Sequence, residues 1–479
     1  MNIIKKSLVL LAMGAAISSS EALTTGNTMV YITGSTGFRG TVNNWFASQT
    51  NAIGETFKSH IVAQDGGTTG SPADLAAAKN LLYTNIPVTI SGSVKLVDVC
   101  FTWIGSEAGI QTTLCPASAP KKQPFYDLSI ISTVTGTGTK VTASASNTTS
   151  NVASICFADN TQALSYFPGA AQSQDGVTYL KAGTSSGTGT AKVAVIPFNF
   201  YANYQSGITN LPAPAWYDIL TTVGGVPLSE LTGNTNDATA NSTYVQPVGR
   251  NIDSGTRQNM QAICHIPKSV NFQQVAPTAA NRQITGVPLE GKGSINGISM
   301  LDGNNGETSG GNVAKFLTNS GTTYGTVLIG YVALADAIPQ YTNGIVPLTF
   351  NGVAGRAANV AQVTNTTSNP AYYDTNNSQL IGSVGFTNDI GYTNVITGAY
   401  PYWGYECVSY NTNNNATDAT NGPASVAIYN SVLSTNGGIR GLGSADTLMF
   451  GAIKLEDMQV KRSGLGVDGG AVSPGATNQ

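Results

Sequence analysis

Charged side chains are scarce in this sequence. Asp, Glu, Lys and Arg make up 10% of the 479 residues, whereas an average soluble protein has roughly 25%. With a net charge of −3, the chain lacks the basic field that attracts nucleic acid or anionic lipid. Nucleic acid is therefore not an expected partner, and any anion site has to be built locally.

Histidine and cysteine are also rare. The two histidines, His60 and His265, occur in unrelated contexts, so neither a histidine-rich metal site nor a metal cofactor is expected. Among the five cysteines, Cys100 and Cys115 flank one candidate strand, and their pairing after export is one alternative. The other alternative, which we favour, is that all five are small buried residues, because a chain of this length folds without disulfides.

Long apolar runs are missing after the first residues. No later run reaches the ~18 uncharged apolar residues of a membrane span. The start has Lys5 and Lys6, an apolar run Ser7–Ile17, and a small-x-small cleavage site at Ser20–Ala22, which together are typical of a secretory signal. We therefore predict a signal peptide over residues 1–22 and a periplasmic or secreted mature chain, with no lipid anchor because no cysteine follows the cleavage site.

Glycine, Asn, Ser and Thr take the place of charged residues. The chain has 55 glycines, and several stretches consist almost wholly of these small polar residues. Such stretches are typical of surface loops. The predicted loops are 133–149, 183–190, 233–243, 303–312 and 411–421.

Three segments combine a β-rich run, a short turn and helical spacing of apolar residues. The first has a strand at Met29–Thr33 and a helix from Phe38, and the second has a strand at Val94–Ile104 and a helix from Ala108. The third lies within Tyr244–Ile263. Repeated strand-turn-helix units predict an α/β protein.

The first turn, Thr33–Gly40, has the glycine spacing of a dinucleotide-binding dehydrogenase. Those enzymes also need a tyrosine with a lysine four residues later, and none of the twenty tyrosines has one. A glycine motif alone is a weak signal. The stretch Gly183–Gly187 matches a nucleophile elbow but lies in a low-complexity loop, so no enzyme activity is expected.

A second interpretation of the glycine-rich turns is a site for a small oxyanion. Ser35 and Thr36, Ser106, and Ser254 with Thr256 each stand where a strand passes into a helix. Backbone N–H groups and hydroxyls at helix starts donate to anions, and the helix dipole favours negative charge. For any one turn, helix capping by the hydroxyl is the alternative.

Arg250 precedes the third helix and supplies a forked donor that suits a tetrahedral oxyanion. The alternative for Arg250 is a surface ion pair with Asp253. Arg39 and Arg257 stand in the first turn of a helix, where a cation opposes the dipole at a cost of about 0.3–1 kcal/mol. Either a bound anion or carboxylates such as Asp253 and Glu107 must offset this cost.

The spacing Arg250-x-x-x-Ser254-Gly255-Thr256 resembles the phosphate-binding protein of bacterial phosphate ABC transporters, a type II periplasmic binding protein. The resemblance implies two α/β lobes joined by two crossovers, with inorganic phosphate or a similar oxyanion held between them. It also implies an ABC transporter permease as a partner. The ligand-binding residues that it implies are Thr36, Gly37, Ser106, Asp159, Arg250, Ser254, Gly255 and Thr256.

In this family an aspartate accepts the proton of monohydrogen phosphate, and Asp159 is the matching residue. A carboxylate beside a dianion is repelled unless the two share a proton, so such a residue selects phosphate over sulfate. The alternative for Asp159 is a solvated aspartate in a loop. The sequence departs from the family at Ile252, where the family usually has an aspartate that pairs with the arginine, and at Asp253, which replaces a glycine.

The crossover runs Lys192–Phe198 and Thr326–Leu334 suggest the lobe boundaries. We predict one lobe from residues 23–200 and 338–479 and a second lobe from residues 201–337. The alternative function is an extracellular or surface structural protein that retains the fold without a transport role, as the long uncharged insertions suggest. Convergence of Thr36, Ser106 and Arg250 in one cleft distinguishes the binding function from this alternative.

Overall fold

The computed structural model describes most of the chain outside its ends and its polar insertions. The described residues are 27–48, 59–61, 78–126, 148–173, 175–203, 206–222, 225–268, 270, 273–275, 294–295, 298–302, 306–319, 327–337, 340, 345–355, 360–363, 371–374, 379–380, 392–415, 421–442, 451–462 and 472–474. The predicted signal peptide and most of the predicted loop 133–149 lie outside these residues.

Strands and helices alternate along the first two thirds of the chain. The strands are β1 (Thr28–Gly34), β2 (Ser59–Ile61), β3 (Asn80–Ile90), β4 (Ser93–Thr102), β5 (Gln123–Tyr126), β6 (Thr148–Asn151), β7 (Ile155–Ala158), β8 (Thr188–Ala202), β9 (Asn210–Leu211), β10 (Val226–Pro227), β11 (Tyr244–Val248), β12 (Gln273–Val275), β13 (Ser294–Ile295), β14 (Ile298–Asp302), β15 (Val327–Ala333), β16 (Val346–Pro347), β17 (Thr349–Phe350), β18 (Val360–Val363), β19 (Ala371–Asp374), β20 (Gln379–Leu380), β21 (Trp403–Asn411), β22 (Val460–Arg462) and β23 (Val472–Pro474). The α-helices are α1 (Arg39–Ser48), α2 (Ser106–Leu114), α3 (Ala213–Thr221), α4 (Leu228–Thr232), α5 (Ala238–Ser242), α6 (Gly255–Ile263), α7 (Gly310–Asn319), α8 (Leu334–Ala337), α9 (Thr393–Ile396) and α10 (Asn421–Leu433). Short 3₁₀ helices lie at Gln162–Leu164, Thr412–Asn415, Ile439–Gly441 and Leu455–Asp457.

A large mixed sheet forms the centre of the molecule. Its strand order is β10-β11-β15-β8-β21-β7-β1-β4-β3-β2, and β16 pairs with β8. The three predicted strand-turn-helix units appear as β1–α1, β4–α2 and β11–α6. The predicted α/β class is therefore confirmed.

Strand β8 runs from one half of this sheet into the other. Its first part pairs with β21 as far as Pro197, and its last part pairs with β15 from Phe198 onward. Strands β1, β4 and β7 are parallel to one another, β21 is antiparallel to β7 and β8, and β15 is antiparallel to β8 and parallel to β11. The carboxyl ends of β1, β4 and β7 in one half, and of β11 and β15 in the other, therefore face the point where β8 crosses.

Aromatic side chains fill the core beneath this crossing. The Phe200 ring lies 5.2 Å from Trp216, 5.1 Å from Phe350 and 5.1 Å from Tyr402, measured between ring centroids. All of these rings are buried. Aromatic pairs at such distances add about 0.5–1.5 kcal/mol each beyond their area burial, so the crossing point rests on a densely packed base.

Two details differ from the sequence-based expectations. The predicted loop 233–243 contains α5, whose N-cap Asp237 accepts hydrogen bonds from Thr239 N and Ala240 N. The predicted loop 411–421 contains a 3₁₀ helix at Thr412–Asn415. All five cysteines are buried and none is in a disulfide, so Cys100 and Cys115 do not form the alternative pair. Among the described residues, no helix has the length and apolar character needed to span a membrane.

Candidate functional site

The three strand-to-helix turns meet where β8 crosses the sheet. Backbone hydrogen bonds join them: Gly105 N donates to Gly34 O over 2.9 Å, and Glu107 N donates to Asp253 O over 3.0 Å. Ser35 N also donates to Phe157 O over 2.7 Å, which ties the first turn to the end of β7. Because each turn follows the carboxyl end of a strand, the starts of α1, α2 and α6 are brought to one place.

Asp159, directly after β7, lies at the centre of this arrangement. Its Oδ1 accepts a hydrogen bond from Ser106 Oγ, and its Oδ2 accepts one from Thr256 Oγ1 over 2.9 Å. Asp159 is 2% exposed, so the alternative of a solvated loop aspartate is wrong. The first half of the sheet supplies Asp159 and Ser106 and the second supplies Thr256, so the carboxylate joins the two halves.

The glycine at the start of α6 is required by this close approach. A Cβ atom on Gly255 would lie 1.9 Å from Asp159 Oδ1 and 2.4 Å from Asn160 Oδ1, far inside any allowed contact. The N–H groups of Gly255 and Thr256 occupy the first two helical positions, which have no acceptor within the helix. The helix start and its dipole therefore face the carboxylate directly.

Arg250 is fixed at both its side chain and its backbone. Its Nε donates to Glu307 O over 3.2 Å, and its Nη2 donates to Thr308 O over 3.2 Å and to Thr36 Oγ1 over 3.3 Å. The residue is 2% exposed and forms no ion pair with Asp253 within 4 Å, although both residues belong to the described part of the chain. The alternative of a surface ion pair is therefore wrong.

Local hydrogen bonds to the backbone explain two of the serines. Ser254 is the N-cap of α6, and its Oγ accepts from Arg257 N over 3.2 Å. Ser35 Oγ accepts from Phe38 N over 3.2 Å, within the turn that precedes α1. Ser106 is different, because the N-cap of α2 is Gly105 and the Ser106 hydroxyl donates to Asp159 instead. Ser254 is thus a helix cap and Ser35 stabilises a turn, whereas Ser106 belongs to the polar network around Asp159.

All eight residues expected at the site lie in or beside this network. Gly37 borders it, since a Cβ on Gly37 would lie 3.9 Å from Asp159 Oδ2. We use the name central cluster for the hydrogen-bonded side chains in the middle of this polar network, which are Thr36, Ser106, Asp159, Arg250 and Thr256. All five are at most 7% exposed.

Burial is the largest influence on the pKa of the carboxyl group in the central cluster, and its net effect is to raise that pKa. Burial raises the pKa of Asp159, while the hydrogen bonds from Ser106 and Thr256 and the charge of Arg250 lower it. The opposing causes show that the carboxylate sits in a dry setting where each donor interacts strongly. A group in such a setting responds to the charge of whatever lies beside it.

Asp336 is a second carboxylate at this point, and the sequence analysis did not find it. It approaches the first turn of α7, where a Cβ on Gly310 would lie 2.1 Å from its Oδ2. Burial raises its pKa, and the charges of Arg39 and Arg250 lower it. The charges of Asp336 and Arg39 therefore interact, so a carboxylate other than the suggested Asp253 and Glu107 helps to offset the charge of Arg39 at the start of α1.

Glu107 has a different set of partners. Its Oε1 accepts from Asn160 Nδ2 and its Oε2 from Tyr166 N, both over 2.7 Å. Burial raises its pKa from 4.5 to about 7, and the charge of Lys268 acts against this rise. Lys268 Nζ in turn donates to Ser165 O over 2.7 Å. This group of residues forms a second polar link beside the central cluster.

Other positioning contacts were also missed from the sequence. Asn259 Nδ2 donates to Asp159 O over 2.6 Å, and Tyr402 OH donates to Thr256 O over 3.3 Å. Tyr331 OH accepts from Arg250 N over 3.2 Å. No local pattern marks these residues, because each contacts a partner at least 81 residues away in the chain.

Comparison with known proteins gives matches among solved structures alone. No protein-family model and no curated protein sequence matches the chain. A candidate phosphate ABC transporter substrate-binding protein from Clostridium perfringens, solved with bound phosphate, is 13% identical with a TM-score of 0.40, and the match covers 89% of this chain and 99% of that chain. An ABC-type phosphate transport receptor from Vibrio cholerae is 10% identical with a TM-score of 0.36, over 88% of this chain and 99% of that chain.

A third match is a phosphate-binding protein from Stenotrophomonas maltophilia. It is 13% identical with a TM-score of 0.33, and the match covers 82% of this chain and 81% of that chain. Identities and TM-scores at this level do not transfer a ligand or an activity to this chain. The function therefore has to be argued from the geometry of the central cluster.

Proposed function

We propose that this chain is an exported solute-binding protein that captures phosphate or a similar tetrahedral oxyanion and breaks no bond in it. The observation that carries the proposal is the meeting of Thr36, Ser106 and Asp159 with Arg250 and Thr256 where β8 crosses the sheet. The ligand-binding residues in this proposal are Thr36, Gly37, Ser106, Asp159, Arg250, Ser254, Gly255 and Thr256.

The donors at this point match the needs of an oxyanion. The hydroxyls of Thr36, Ser106 and Thr256 each have one proton to donate, and those of Ser106 and Thr256 donate it to Asp159 in this structure. The guanidinium of Arg250 adds a planar fork, and the first N–H groups of α6 add donors backed by the helix dipole. An anion is already held in this way, because the Asp159 carboxylate accepts from both Ser106 and Thr256.

Asp159 then accounts for selectivity. A buried carboxylate beside a bound oxyanion is tolerated when the oxyanion brings a proton that the two can share. Hydrogen phosphate carries such a proton near pH 7, whereas sulfate does not. The proposal is therefore that phosphate is favoured over sulfate and that Asp159 is the residue that discriminates.

The lobes and the partner follow from the same proposal. One lobe comprises residues 23–200 and 338–479, the other comprises residues 201–337, and the ligand lies between them. Closure of the two lobes around the ligand excludes water and strengthens each hydrogen bond. An ABC transporter permease is the proposed recipient of the ligand.

One observation favours a second candidate function. Asp159 and Arg250 already bind protein partners on both sides of the sheet crossing, which is what a permanent link between two halves would need. On this alternative the chain is an extracellular or surface structural protein that retains the fold, and the central cluster serves to hold its halves together. A binding measurement separates the two functions.

The test is calorimetric titration of the mature protein with phosphate and then with sulfate near pH 7. We expect one phosphate per chain, weaker sulfate binding, and a loss of phosphate affinity of about 30-fold or more in Arg250→Ala, since truncating a buried charge partner typically costs about 2–5 kcal/mol. Arg250→Lys keeps the charge without the fork, and Arg440→Ala, at a half-buried arginine remote in sequence, is the matched control.

The outcomes are distinct. Phosphate binding that Arg250→Ala loses and Arg440→Ala keeps supports the proposal, provided that thermal melting shows both variants folded. If the folded wild-type protein gives no heat with either anion, the oxyanion function is wrong and the structural alternative takes its place.

A further inference from the structure

A cavity of about 650 Å³ lies beside β8 and β21, and its lining includes none of the central cluster. Its floor is formed by residues 190–192 of β8 and by Cys407 of β21, and its sides by residues 161–169 and 181–184. Arg440 and Leu455, from two 3₁₀ helices, complete the lining. The volume is in the range of about 300–1,000 Å³ that is usual for small-molecule pockets.

Positive charge is concentrated in this lining. With charged residues at 10% of the chain, the fourteen lining residues are expected to include one or two charges of mixed sign. They include Lys181, Lys192 and Arg440, and no Asp or Glu is among these described lining residues. Glu456, which does not line the cavity, compensates Arg440 in part, with its Oε1 3.8 Å from Nε. The cavity therefore favours an anion.

Apart from the amide of Gln162, the rest of the lining is apolar or hydroxyl-bearing. Leu455 and Cys407 are buried, and Pro168 and several alanines complete the apolar surface. Lys192 lines the cavity, and its Nζ lies 3.8 Å from the centre of the buried Tyr405 ring, a cation–π contact that holds this side chain beside the sheet. An inorganic ion can interact with the cationic side chains but gains nothing from the apolar surface. An organic anion can contact both the cationic side chains and the apolar surface.

Hydrogen bonds hold the side of the cavity in place. Gln162 Nε2 donates to Leu180 O over 2.7 Å and to Phe167 O over 3.2 Å, while its Oε1 accepts from Ala182 N over 2.9 Å. One side chain thus fastens the 161–169 segment to the 181–184 segment. A wall fixed in this way loses little conformational entropy when a ligand binds.

We propose that this cavity binds a small organic anion with an apolar ring or chain, whose acidic group contacts Lys181 and Lys192. The binding is separate from that of any oxyanion at the central cluster. It involves no covalent step.

The test uses two fluorescent probes that share their rings and differ in charge. One is 8-anilino-1-naphthalenesulfonate, and the other is the neutral N-phenyl-1-naphthylamine. We expect the sulfonate to saturate at one per chain and to bind about tenfold or more tightly than the neutral probe, since tenfold corresponds to one good charge contact of about 1.4 kcal/mol. The double variant Lys181→Met with Lys192→Met should lose this preference.

Two further variants show where the probe binds. Ala182→Trp and Thr184→Trp each place a large ring in the lining and should weaken sulfonate binding about tenfold or more, whereas Arg250→Ala should leave it unchanged. Thr184 is exposed, so its replacement is compatible with folding even if that of Ala182 is not. Ten millimolar phosphate should not displace the probe.

The proposal is wrong if the neutral probe binds as tightly as the sulfonate, or if folded Thr184→Trp binds the sulfonate as the wild type does. Displacement by phosphate, or loss of probe binding in folded Arg250→Ala, also overturns it, because the probe would then occupy the central cluster.

Discussion

The central cluster and the cavity beside Lys192 present positive charge in two different ways. In the cluster, Arg250 is 2% exposed, and its Nε and Nη2 donate to protein acceptors. In the cavity, Lys181 is exposed and Lys192 is half-buried, and apolar side chains lie beside them. Positive charge is thus buried among polar groups in the central cluster, whereas in the cavity it is accessible to solvent and lies beside apolar side chains.

The difference shows what each region can discriminate. Charges interact several times more strongly at an effective dielectric constant of about 20 than at 80, so the cluster distinguishes ligands by charge, proton and geometry. The side chain of a solvent-exposed lysine can adopt many positions, and its charge is screened by solvent. The cavity therefore distinguishes ligands by size and apolar surface more than by the arrangement of their oxygens.

The largest expected effect comes from Asp159→Asn, which tests the cluster alone. Removing the carboxylate removes its repulsion of a fully ionised anion, so we expect the preference for phosphate over sulfate to fall by about 100-fold, or roughly 2.7 kcal/mol. Competition calorimetry with the two anions measures the ratio. The probe affinity of the cavity should not change, and an unchanged phosphate-to-sulfate ratio would contradict the role given to Asp159.

The next effect concerns packing at the cluster. Gly255→Ala places a Cβ 1.9 Å from Asp159 Oδ1, and overpacking of this kind typically costs about 1–3 kcal/mol of unfolding free energy. Gly311→Ala, in the first turn of α7, is the matched control because its Cβ meets Asp336 Oδ1 at an ordinary 3.6 Å. Chemical denaturation compares the two variants, and equal stability would show that the start of α6 and the end of β7 do not meet as described.

A third prediction tests whether the region beside the central cluster is desolvated. Because burial raises the pKa of Glu107 from 4.5 to about 7, the folded state holds this proton more tightly than the unfolded state. The stability that results is fully present below pH 4.5 and is lost as the pH rises to about 7. Glu107→Gln should therefore flatten the decrease in unfolding free energy between pH 4.5 and 7.

The control for Glu107 is Glu230→Gln, at an exposed position of α4, which should leave the pH dependence as in the wild type. If Glu107→Gln and Glu230→Gln give the same profile from denaturation at a series of pH values, Glu107 does not lie in the desolvated setting described.

The smallest expected effect is a difference in how strongly ionic strength lowers ligand affinity at the central cluster and in the cavity. Raising the ionic strength from about 0.05 M to 0.5 M shortens the Debye length several-fold, and this screens exposed lysines more than a buried arginine. We expect the affinity for the sulfonate probe to fall several-fold while phosphate affinity changes less. A larger loss for phosphate than for the probe would reverse the comparison between cluster and cavity.

Local sequence signals were enough to find the turns of the candidate site. Hydroxyls and glycines at the starts of α1, α2 and α6 mark positions where a strand ends and a helix begins, and such marks span only a few residues. Asp159 carries no such mark and was proposed through the resemblance to a family. The α5 helix was missed although Asp237 provides a capping signal, because the surrounding low-complexity composition was taken as evidence for a loop.

The remaining features depend on contacts between distant parts of the chain. Arg250 binds Glu307 O, 57 residues away, and Thr36, 214 residues away. Asp336 acts on Arg39, from the other half of the sheet. Neither partner follows from spacing or composition, because the order of strands in the sheet decides which turns meet.

A crystal structure of the mature protein grown with phosphate tests the central claim most directly. We expect tetrahedral density within hydrogen-bonding distance of the Arg250 guanidinium, the Ser106 and Thr256 hydroxyls and the first N–H groups of α6, with one phosphate oxygen facing Asp159. Phosphate bound only in the cavity beside Lys192, or a central cluster whose side chains keep the same mutual hydrogen bonds at saturating phosphate, would contradict it.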